Sequence, residues 1–284
     1  MRVNSFLYII IGLMLSMTAK TQTVVPADTL LVNKLLKDAR QLPHNTNYIL
    51  HFANTFVGVP YVAHTLEGNI TERLVVNLRQ MDCTTLVENV VALTNCMKNK
   101  KYTYRDFTDA LTQLRYRNGK IDGYDSRLHY FTDWILDNSK RGIVKEVQLP
   151  NPPFTAVQTI SVNYMSSHPQ SYSALKNNSS LVRKIKAQED KLNGKRFRYI
   201  PKSEIKNSKV MRQTIKNGDI IAITCNKPGL DIAHLGFAVW SNDGLHLLNA
   251  SQIHKKVVKE PMTLDQYLQK HPSHTGIRII RVEN

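Results

Sequence analysis

The stretch MDCTTLVENV, residues 81–90, places a cysteine directly after an aspartate and at the start of a predicted helix. The apolar face of this predicted helix is formed by Leu86, Val90, Leu93 and Met97. A helix N-terminus offers unpaired backbone N–H groups and the positive end of the helix dipole, and both favour a thiolate at Cys83. The same N–H groups can stabilise an oxyanion after the thiolate attacks a carbonyl carbon. Cys83 is therefore a candidate nucleophile, and the alternative is a small, buried apolar residue.

A cysteine nucleophile needs a base, and ten histidines compete for that role. His234 differs from the others because it interrupts the apolar stretch DIAHLGFAVW, residues 231–240, which is predicted to be a strand. Alternation along this strand puts His234 on the same face as Gly236 and Ala238, whose small size leaves room for a ligand. His234 is the candidate base, and the alternative is a core histidine that the backbone satisfies.

The base in turn needs a group that orients its ring. The sequence SNDG at 241–244 predicts a hairpin turn into the strand LHLLNAS at 245–251. Pairing through this turn brings Asn249 close to His234, to within about one residue of register. The Asn249 amide oxygen can accept the ring N–H and fix the tautomer. The alternative is that Asn249 only ends its strand.

Helical periodicity comes first along the chain, and strand-like alternation comes later. Helices are predicted over 28–41, 46–57, from Thr84, from an N-cap at Thr103, and over 124–142. Strands are predicted over 144–149, 196–201, 217–225, 231–240, 245–251, 276–282 and, as an edge strand, 254–260, with a short helix over 263–271. This order predicts an α+β domain with an antiparallel sheet.

The first 22 residues have the order of a secretory signal. Arg2 is followed by an apolar stretch over 6–17, which is too short for a transmembrane helix, and then by small and polar residues. We predict a signal peptide over 1–22, a single domain over 23–284, and a periplasmic or secreted protein with no membrane span once the signal is removed. The alternative for this segment is a buried N-terminal helix.

The chain of 284 residues carries a formal net charge of +16. Such a charge suits nucleic acid, an anionic cell envelope or an acidic substrate. Predicted export argues against nucleic acid, and the lysines and arginines are scattered rather than interleaved with aromatic residues. The odd count of three cysteines leaves at least one free thiol, since Cys96 and Cys225 can pair and leave Cys83 free, or all three can be reduced.

Three separated segments resemble the NlpC/P60 group of papain-like cysteine peptidases: PY at 60–61, DCTTLVE at 82–88 and HLGFAVWSNDGLHLLNAS at 234–251. NGDIIAI at 217–223 resembles the strand that precedes the histidine of that group. The resemblance implies a papain-like core, in which an antiparallel sheet is packed by N-terminal helices. It also implies a long insertion, over about 100–205, between the nucleophile helix and the histidine strand.

The same resemblance assigns roles to residues of this chain. It implies that Cys83 is the nucleophile, His234 the base and Asn249 the orienting residue. Tyr61 would stand beside the oxyanion, with the Cys83 backbone N–H as the second donor. The chain departs from the group in having Thr84-Thr85 where Ser-Gly is usual, and in the 151 positions between Cys83 and His234.

These departures point to one family within the group. PYVAHTLE at 60–67, ERLVVNLRQMDCTTLVENV at 72–90 and SRLHYFTDWI at 126–135 resemble the DUF1460 family, over most of residues 45–284. The resemblance implies an N-acetylmuramoyl-L-alanine amidase, which cuts the bond between the lactyl group of muramic acid and L-Ala. It also implies a preference for soluble 1,6-anhydro-muropeptides, peptidoglycan fragments whose carboxylates a basic exported protein would attract.

Arg127, His129 and Tyr130 lie at the start of a predicted helix, and we expect Arg127 and His129 to bind substrate, with Tyr130 beside them. The alternative is an ordinary solvated helix start. Asp82 is interpreted as a helix cap rather than a chemical residue. The expected reaction is acyl transfer through a thioester, with no metal and no cofactor. The oligomeric state is left open by the sequence.

Three other functions compete with the amidase. The same triad could cut the bond between γ-D-Glu and the diamino acid. The domain could be an inactive wall-binding module, although an intact Cys83, His234 and Asn249 argue against this. A zinc amidase could use His246 with His254, or His271 with His274, but these spacings match no metal-binding motif.

Overall fold

The computed structural model of the protein describes residues 26–148 and 152–283. The predicted signal peptide over 1–22 lies outside the described residues. The α-helices are α1 (Pro26–Ala39), α2 (Tyr48–Thr55), α3 (Cys83–Lys98), α4 (Tyr104–Arg115), α5 (Phe131–Lys140), α6 (Tyr164–Ser167), α7 (Ser179–Leu192), α8 (Lys209–Thr214) and α9 (Leu264–Gln269). Over these two ranges, no helix combines the length and apolar character that crossing a membrane requires.

Eight strands of the described residues form one antiparallel sheet. They are β1 (Val144–Val147), β2 (Ala156–Thr159), β3 (Arg196–Pro201), β4 (Ile220–Cys225), β5 (Ile232–Trp240), β6 (Leu245–Ser251), β7 (Lys256–Lys259) and β8 (His274–Val282). The order across the sheet is β2-β3-β8-β4-β5-β6-β7, and β1 pairs with the far end of β8. Every one of these strand pairs is antiparallel.

Alternation along the strands gives the sheet two apolar faces. Leu235 and Phe237 of β5 join the core formed with helices α1 to α5. Ala238 of the same strand joins a second core, which includes Met211 of α8 and Leu268 of α9. A third cluster, formed by apolar residues of the segment between α5 and β3 together with Tyr124 and Tyr130, lies within the predicted insertion.

The α+β class and the antiparallel sheet predicted from the sequence are confirmed. The edge position of β7 is also confirmed, since β7 ends the strand order. Strand β2 was not predicted because it is only four residues long and half exposed, so its alternation carries little signal. Cys96 and Cys225, whose pairing the sequence left open, are both free thiols, as is Cys83.

A buried ion pair joins helices α3 and α4. The Arg115 Nε lies 2.7 Å from Glu88 Oε2, and both side chains are at most 3% exposed. Arg115 Nη1 also donates to the Val75 carbonyl at 2.6 Å, which ties in the segment that precedes α3. Burial raises the pKa of Glu88, and the Arg115 charge opposes this rise. The pair therefore fixes the position of the helix that begins at Cys83.

Removing one partner of this pair should destabilise the protein strongly, because the other charge stays buried without compensation. We expect Arg115→Met to lower the free energy of unfolding by about 3–5 kcal/mol. Arg105→Met, at an exposed position of the same helix, is the matched control and should change it by less than about 0.5 kcal/mol. Urea unfolding followed by circular dichroism measures both, and equal effects of the two substitutions would contradict the assignment.

Candidate active site

The start of helix α3 is held by a short parallel bridge between Tyr61 and Met81. Met81 N donates to the Pro60 carbonyl at 3.1 Å, and Val62 N donates to the Met81 carbonyl at 3.1 Å. Tyr61 N donates to the Lys255 carbonyl at 2.9 Å, which fastens the same segment near strand β7. This bridge brings the PY dipeptide next to the cysteine, although 22 positions separate Tyr61 from Cys83 in the sequence.

Asp82 caps helix α3, as the sequence predicted. Its Oδ1 accepts from the backbone N–H of Thr85 at 2.8 Å, and the Thr85 hydroxyl accepts from the Asp82 N–H at 2.9 Å. This reciprocal capping box satisfies donors that the first turn would otherwise leave free. Thr85, one of the two residues that depart from the usual Ser-Gly, therefore has a structural task.

Cys83 is the first residue of α3, and its side chain is half-buried in the wall of a cavity. Burial, and secondly the Asp82 carboxylate, raise the pKa of the Cys83 thiol to about 12, while the Leu235 N–H acts in the opposite direction. Burial of the sulfur thus opposes the thiolate that the helix N-terminus favours.

His234 and Asn249 are in direct contact, as the hairpin register predicted. The ring Nε2 of His234 lies 2.9 Å from Asn249 Oδ1. Because an amide oxygen only accepts, Nε2 carries the hydrogen and Nδ1 is left with a free lone pair. Asn249 Nδ2 donates to the Leu247 carbonyl at 3.3 Å, which fixes the orientation of the amide. Burial lowers the pKa of His234, so the ring is neutral at pH 7 and able to take a proton.

Close packing between strands β5 and β6 requires a glycine at position 236. Gly236 lies on the face that Leu247 covers, and a Cβ at this position would stand 2.7 Å from the Leu247 Cγ and 2.7 Å from the Leu248 carbonyl oxygen. A larger residue would therefore push β5 and β6 apart. The spacing of His234 and Asn249 depends on this contact.

A second set of rings lies near His234, on helix α9, on strand β8 and in the turn between them. The Tyr267 ring is 6.5 Å from the His234 ring, centroid to centroid, and 4.4 Å from the His271 ring. His271 and His274 stack at 4.7 Å. Sequence reasoning missed Tyr267, because no local pattern marks a residue whose importance arises from a contact across 33 positions.

The four histidines that the zinc alternative named have protein partners or stack on one another. His271 Nδ1 donates to the Tyr267 carbonyl at 2.7 Å, and His246 contacts the Glu260 carbonyl at 2.9 Å and Asp243 at 3.0 Å. His254 Nε2 lies 3.2 Å from Glu260. Within residues 26–148 and 152–283, no three His, Cys, Asp or Glu side chains are grouped so that they could hold a metal ion.

The cavity beside Cys83 has a volume of about 320 Å³. Its wall combines Cys83 and His234 with residues of the predicted insertion, namely His129, Tyr130, Tyr164 and Tyr172. Of the residues predicted for the site, the structure thus brings Cys83, His234, His129 and Tyr130 to one cavity. Asn249 lies behind His234, and Tyr61 and Arg127 are outside the wall.

The His129 ring in this cavity is neutral, and its Nδ1 can accept a hydrogen bond. Its Nε2 donates to the Tyr124 carbonyl at 2.9 Å, and its ring lies 4.5 Å from the Tyr124 ring. Burial, and secondly the Arg127 charge, lower the pKa of His129 to about 3. Its Nδ1 therefore keeps a lone pair at every physiological pH.

Arg127 is buried and committed to protein partners. Its Nη2 donates to Glu67 Oε1 at 2.7 Å, its Nη1 donates to the Leu66 carbonyl at 3.3 Å, and its guanidinium lies 4.7 Å from the centre of the Tyr124 ring. This differs from the substrate contact expected from the sequence. The arrangement supports a different proposal, in which Arg127 holds the segment that carries Glu67 against the cavity.

Tyr61 lies close enough to Cys83 for the two groups to influence each other. Burial, followed by Cys83 and Asp82, raises the pKa of the Tyr61 hydroxyl to about 12. The hydroxyl therefore keeps its proton over the range in which the protein would work, and can donate a hydrogen bond to a developing negative charge.

Comparison with known proteins identifies a family whose model matches this chain. The family model described as AmiA-like, N-acetylmuramoyl-L-alanine amidase-like, matches residues 51–277. A crystal structure of an N-acetylmuramoyl-L-alanine amidase from Bacteroides uniformis is 43% identical, with a TM-score of 0.78, over 84% of this chain and 98% of that chain. A comparison with curated proteins gives no match.

Two further solved structures share the fold. A Bacteroides fragilis protein named as a candidate xylanase is 42% identical, with a TM-score of 0.77, over 82% of this chain and 100% of that chain. A Legionella pneumophila protein of the DUF1460 family is 24% identical, with a TM-score of 0.70, over 91% of this chain and 95% of that chain.

The raised pKa of Cys83 predicts slow alkylation in the absence of substrate. We expect iodoacetamide at pH 7.5 to modify Cys83 at least about tenfold more slowly than free cysteine, because the thiolate is the reacting species. The rate should keep rising from pH 7 to pH 10 without a plateau. Peptide mapping by mass spectrometry separates Cys83 from Cys225. A plateau between pH 5 and pH 8 would instead indicate a preformed thiolate–imidazolium pair.

Proposed function

The chain belongs to the AmiA-like, N-acetylmuramoyl-L-alanine amidase-like family, and from this we infer that it is a cell-wall amidase acting on peptidoglycan fragments at the lactyl–L-Ala bond. The observation that carries the mechanism is the 2.9 Å contact between His234 and Asn249 beside the cavity that Cys83 lines. A polar ring so placed, with its second nitrogen free, has the arrangement of a general base next to a nucleophile. We assign the core to the papain-like NlpC/P60 group on the support of this arrangement.

The first half of the proposed reaction joins the Cys83 sulfur to the lactyl carbonyl carbon in a tetrahedral intermediate. The Nδ1 of His234 takes the proton of the Cys83 thiol as the sulfur attacks the lactyl carbonyl carbon. Proton transfer accompanies attack, because burial keeps the resting sulfur protonated and the resting imidazole neutral. The Cys83 backbone N–H and the Tyr61 hydroxyl donate to the oxyanion of the tetrahedral intermediate.

The second half releases both products. The imidazolium of His234 gives its proton to the L-Ala nitrogen, the C–N bond breaks, and the peptide leaves with a free amine. Water then attacks the thioester carbon while His234 takes one of its protons. Collapse of this intermediate returns that proton to the Cys83 sulfur and releases the sugar acid.

The charge of the cavity supports the choice of bond. In the thioester, the acyl group is joined to Cys83 and must occupy the space beside it. Among the residues that line this cavity, all of which are described, no lysine or arginine occurs, and Glu67 and Asp231 are acidic. An acyl group ending in D-Glu carries a free carboxylate, for which this lining provides no lysine or arginine, whereas the lactyl ether of muramic acid carries no charge. The lactyl–L-Ala bond is therefore favoured over the γ-D-Glu bond.

The same carboxylates argue against glycoside hydrolysis, which the name of one structural neighbour suggests for that neighbour. A glycosidase commonly uses two carboxyl groups on either side of the scissile bond. Here Glu67 accepts from Arg127 and from the Tyr124 hydroxyl at 3.1 Å, and Asp231 accepts from the Thr132 N–H at 2.7 Å. Both carboxylates are engaged in holding the fold.

The proposed location is the periplasm or the outside of the cell, where peptidoglycan fragments occur. The strongly positive net charge, +16 over the full sequence, would attract the carboxylates of their stem peptides over a range of about 8–10 Å in physiological salt. We also propose that the intact triad is active, which sets this protein apart from an inactive wall-binding module.

Product analysis tests the bond. We expect the mature protein to convert anhydro-disaccharide tetrapeptide into free disaccharide and intact tetrapeptide, with Cys83→Ala as the inactive control. Mass spectrometry identifies the products directly. Release of a disaccharide dipeptide would instead assign the protein to the γ-D-Glu endopeptidases, and activity that Cys83→Ala retains would exclude the cysteine mechanism.

Substitution of Asn249 tests the orienting role. We expect Asn249→Ala to lower kcat by about 10- to 100-fold, with a smaller change in KM, because the ring can then adopt unproductive tautomers and rotamers. Asn249→Asp should move the acid limb of the kcat/KM profile to higher pH, since a carboxylate raises the pKa of a histidine that burial, and secondly His271, hold below 6.5. An acid limb that stays in place in Asn249→Asp would contradict the contact.

A further inference from the structure

The hydrogen bond with Asn249 does not by itself fix the plane of the His234 ring. Nε2, which lies 2.9 Å from Asn249 Oδ1, is nearer to the axis of the Cβ–Cγ bond than Nδ1 is. Any rotation about this bond that the hydrogen bond tolerates therefore displaces Nδ1 farther than Nε2, and this terminal torsion of a histidine has broad minima. Because Nδ1 takes the Cys83 proton in the proposed reaction, a second contact is needed to hold the ring plane.

Tyr267 provides such a contact. Its ring centroid lies 6.5 Å from that of His234, with 30° between the two planes, which is within the range over which aromatic rings attract one another. The Tyr267 side chain is buried, and it is not part of the wall of the cavity beside Cys83. It therefore meets the base without occupying the space that the cavity offers to a ligand.

Helix α9 directs the Tyr267 ring towards the sheet. Leu264, Tyr267 and Leu268 are the buried residues of this helix, and their spacing places them on one face. All three belong to the second core. The first turn is closed by the Tyr267 N–H, which donates to the Thr263 carbonyl at 2.9 Å. The two leucines thus anchor the same face of the helix that presents the tyrosine.

Two histidines hold the Tyr267 ring in turn. The His271 ring lies 4.4 Å and the His274 ring 5.9 Å from the Tyr267 ring, and the two histidines stack on each other at 4.7 Å. His271 Nδ1 also donates to the Tyr267 carbonyl at 2.7 Å. The position of the tyrosine is therefore built into the fold and requires no ligand.

The ring of Tyr267, and not its hydroxyl, makes the contact with the base. Among the described residues, the Tyr267 hydroxyl has no hydrogen-bond partner. Burial, followed by Glu260 and Cys83, raises the pKa of this hydroxyl to about 12, so the phenol is uncharged at pH 7. Loss of the hydroxyl should therefore matter little, whereas loss of the ring should free the imidazole.

We propose that Tyr267 is a positioning residue whose ring holds the plane of the His234 imidazole, so that Nδ1 faces the Cys83 sulfur, and this rests on the proposed function. Tyr267 acts through His234 and not on the substrate. Asn249 thus determines which nitrogen carries the hydrogen, and Tyr267 determines where the other nitrogen points.

Steady-state kinetics with anhydro-disaccharide tetrapeptide tests the ring. We expect Tyr267→Leu to lower kcat by about 10- to 50-fold with KM changed by less than about threefold, because misplacing a catalytic group by about 1 Å can cost about 100-fold in rate. Tyr267→Phe, which keeps the ring, should keep kcat within about threefold. Equal losses in the two variants, or a kcat within about twofold of wild type in Tyr267→Leu, would overturn the proposal.

A double-mutant cycle tests whether the effect passes through His234. If Tyr267 and Asn249 both act on this ring, Tyr267→Leu should lower kcat by less than about threefold once Asn249→Ala is present. Two losses that multiply in full would show that Tyr267 acts independently of the base, and the proposal would be wrong.

Met211→Ala is the matched control for loss of core packing. Met211 is buried in the same second core but belongs to helix α8. This substitution should lower Tm by at least about 4 °C and leave kcat within about twofold. A loss of kcat as large as that of Tyr267→Leu would mean that any loosening of this core impairs the enzyme, which contradicts a specific role for Tyr267.

NMR relaxation of the His234 Cε1–H bond reports the motion of the ring without turnover. Tyr267→Leu should increase its amplitude on the ps–ns timescale, whereas Tyr267→Phe and Met211→Ala should not. An unchanged amplitude in Tyr267→Leu would overturn the proposal whichever bond the enzyme cuts. If product analysis assigns another bond while the ring becomes mobile only in Tyr267→Leu, the bond assignment fails and the positioning role stands.

Discussion

The register of strands β5 and β6 is the constraint on which the rest of the site depends. Ala238 pairs with Leu247, and this register sets Asn249 diagonally opposite His234, within hydrogen-bond distance. Because side chains alternate between faces, a slip by one residue would turn Asn249 to the opposite face and His234 would lose its partner. The same slip would move the apolar side chains that pack on α3 to the opposite face of the sheet, so the packing of the core and the position of His234 are determined together.

Burial keeps the resting site uncharged. It raises the pKa of Cys83 and lowers the pKa of His234, so the thiol and the imidazole are both neutral at pH 7. A neutral pair resists alkylation and oxidation, since both reactions need the thiolate. In the proposed mechanism, Cys83 must therefore lose its proton as it attacks, and His234 must be held in position beforehand. The contacts of His234 with Asn249 and Tyr267 meet that need.

Much of this arrangement could be predicted from local sequence patterns. The cap at Asp82, the helix that begins at Cys83, and the approach of Asn249 to His234 each follow from spacing within one element or one hairpin. The state of the Cys83 thiol could not be predicted in this way, because it depends on how much water the folded chain removes. The contacts of Arg127 could not be predicted for the same reason, since only the folded chain shows that Glu67 and Leu66 accept from its guanidinium.

The whole chain is strongly basic, whereas the lining of the cavity is not. The net charge therefore acts on a ligand at long range, and the cavity lining acts on it only at contact distance. Under the proposed function, Coulomb attraction from a net charge of +16 acts over roughly a Debye length and would draw in the carboxylates of a stem peptide. A lysine or arginine within the cavity would gain little from a neutral acyl group and would hold anions beside Cys83. Because the described lining contains neither residue, the charged peptide would remain outside and the uncharged part would enter. With the charged end outside and the lactyl carbonyl beside Cys83, the amide that links the two ends would lie where the proposed nucleophile can attack it.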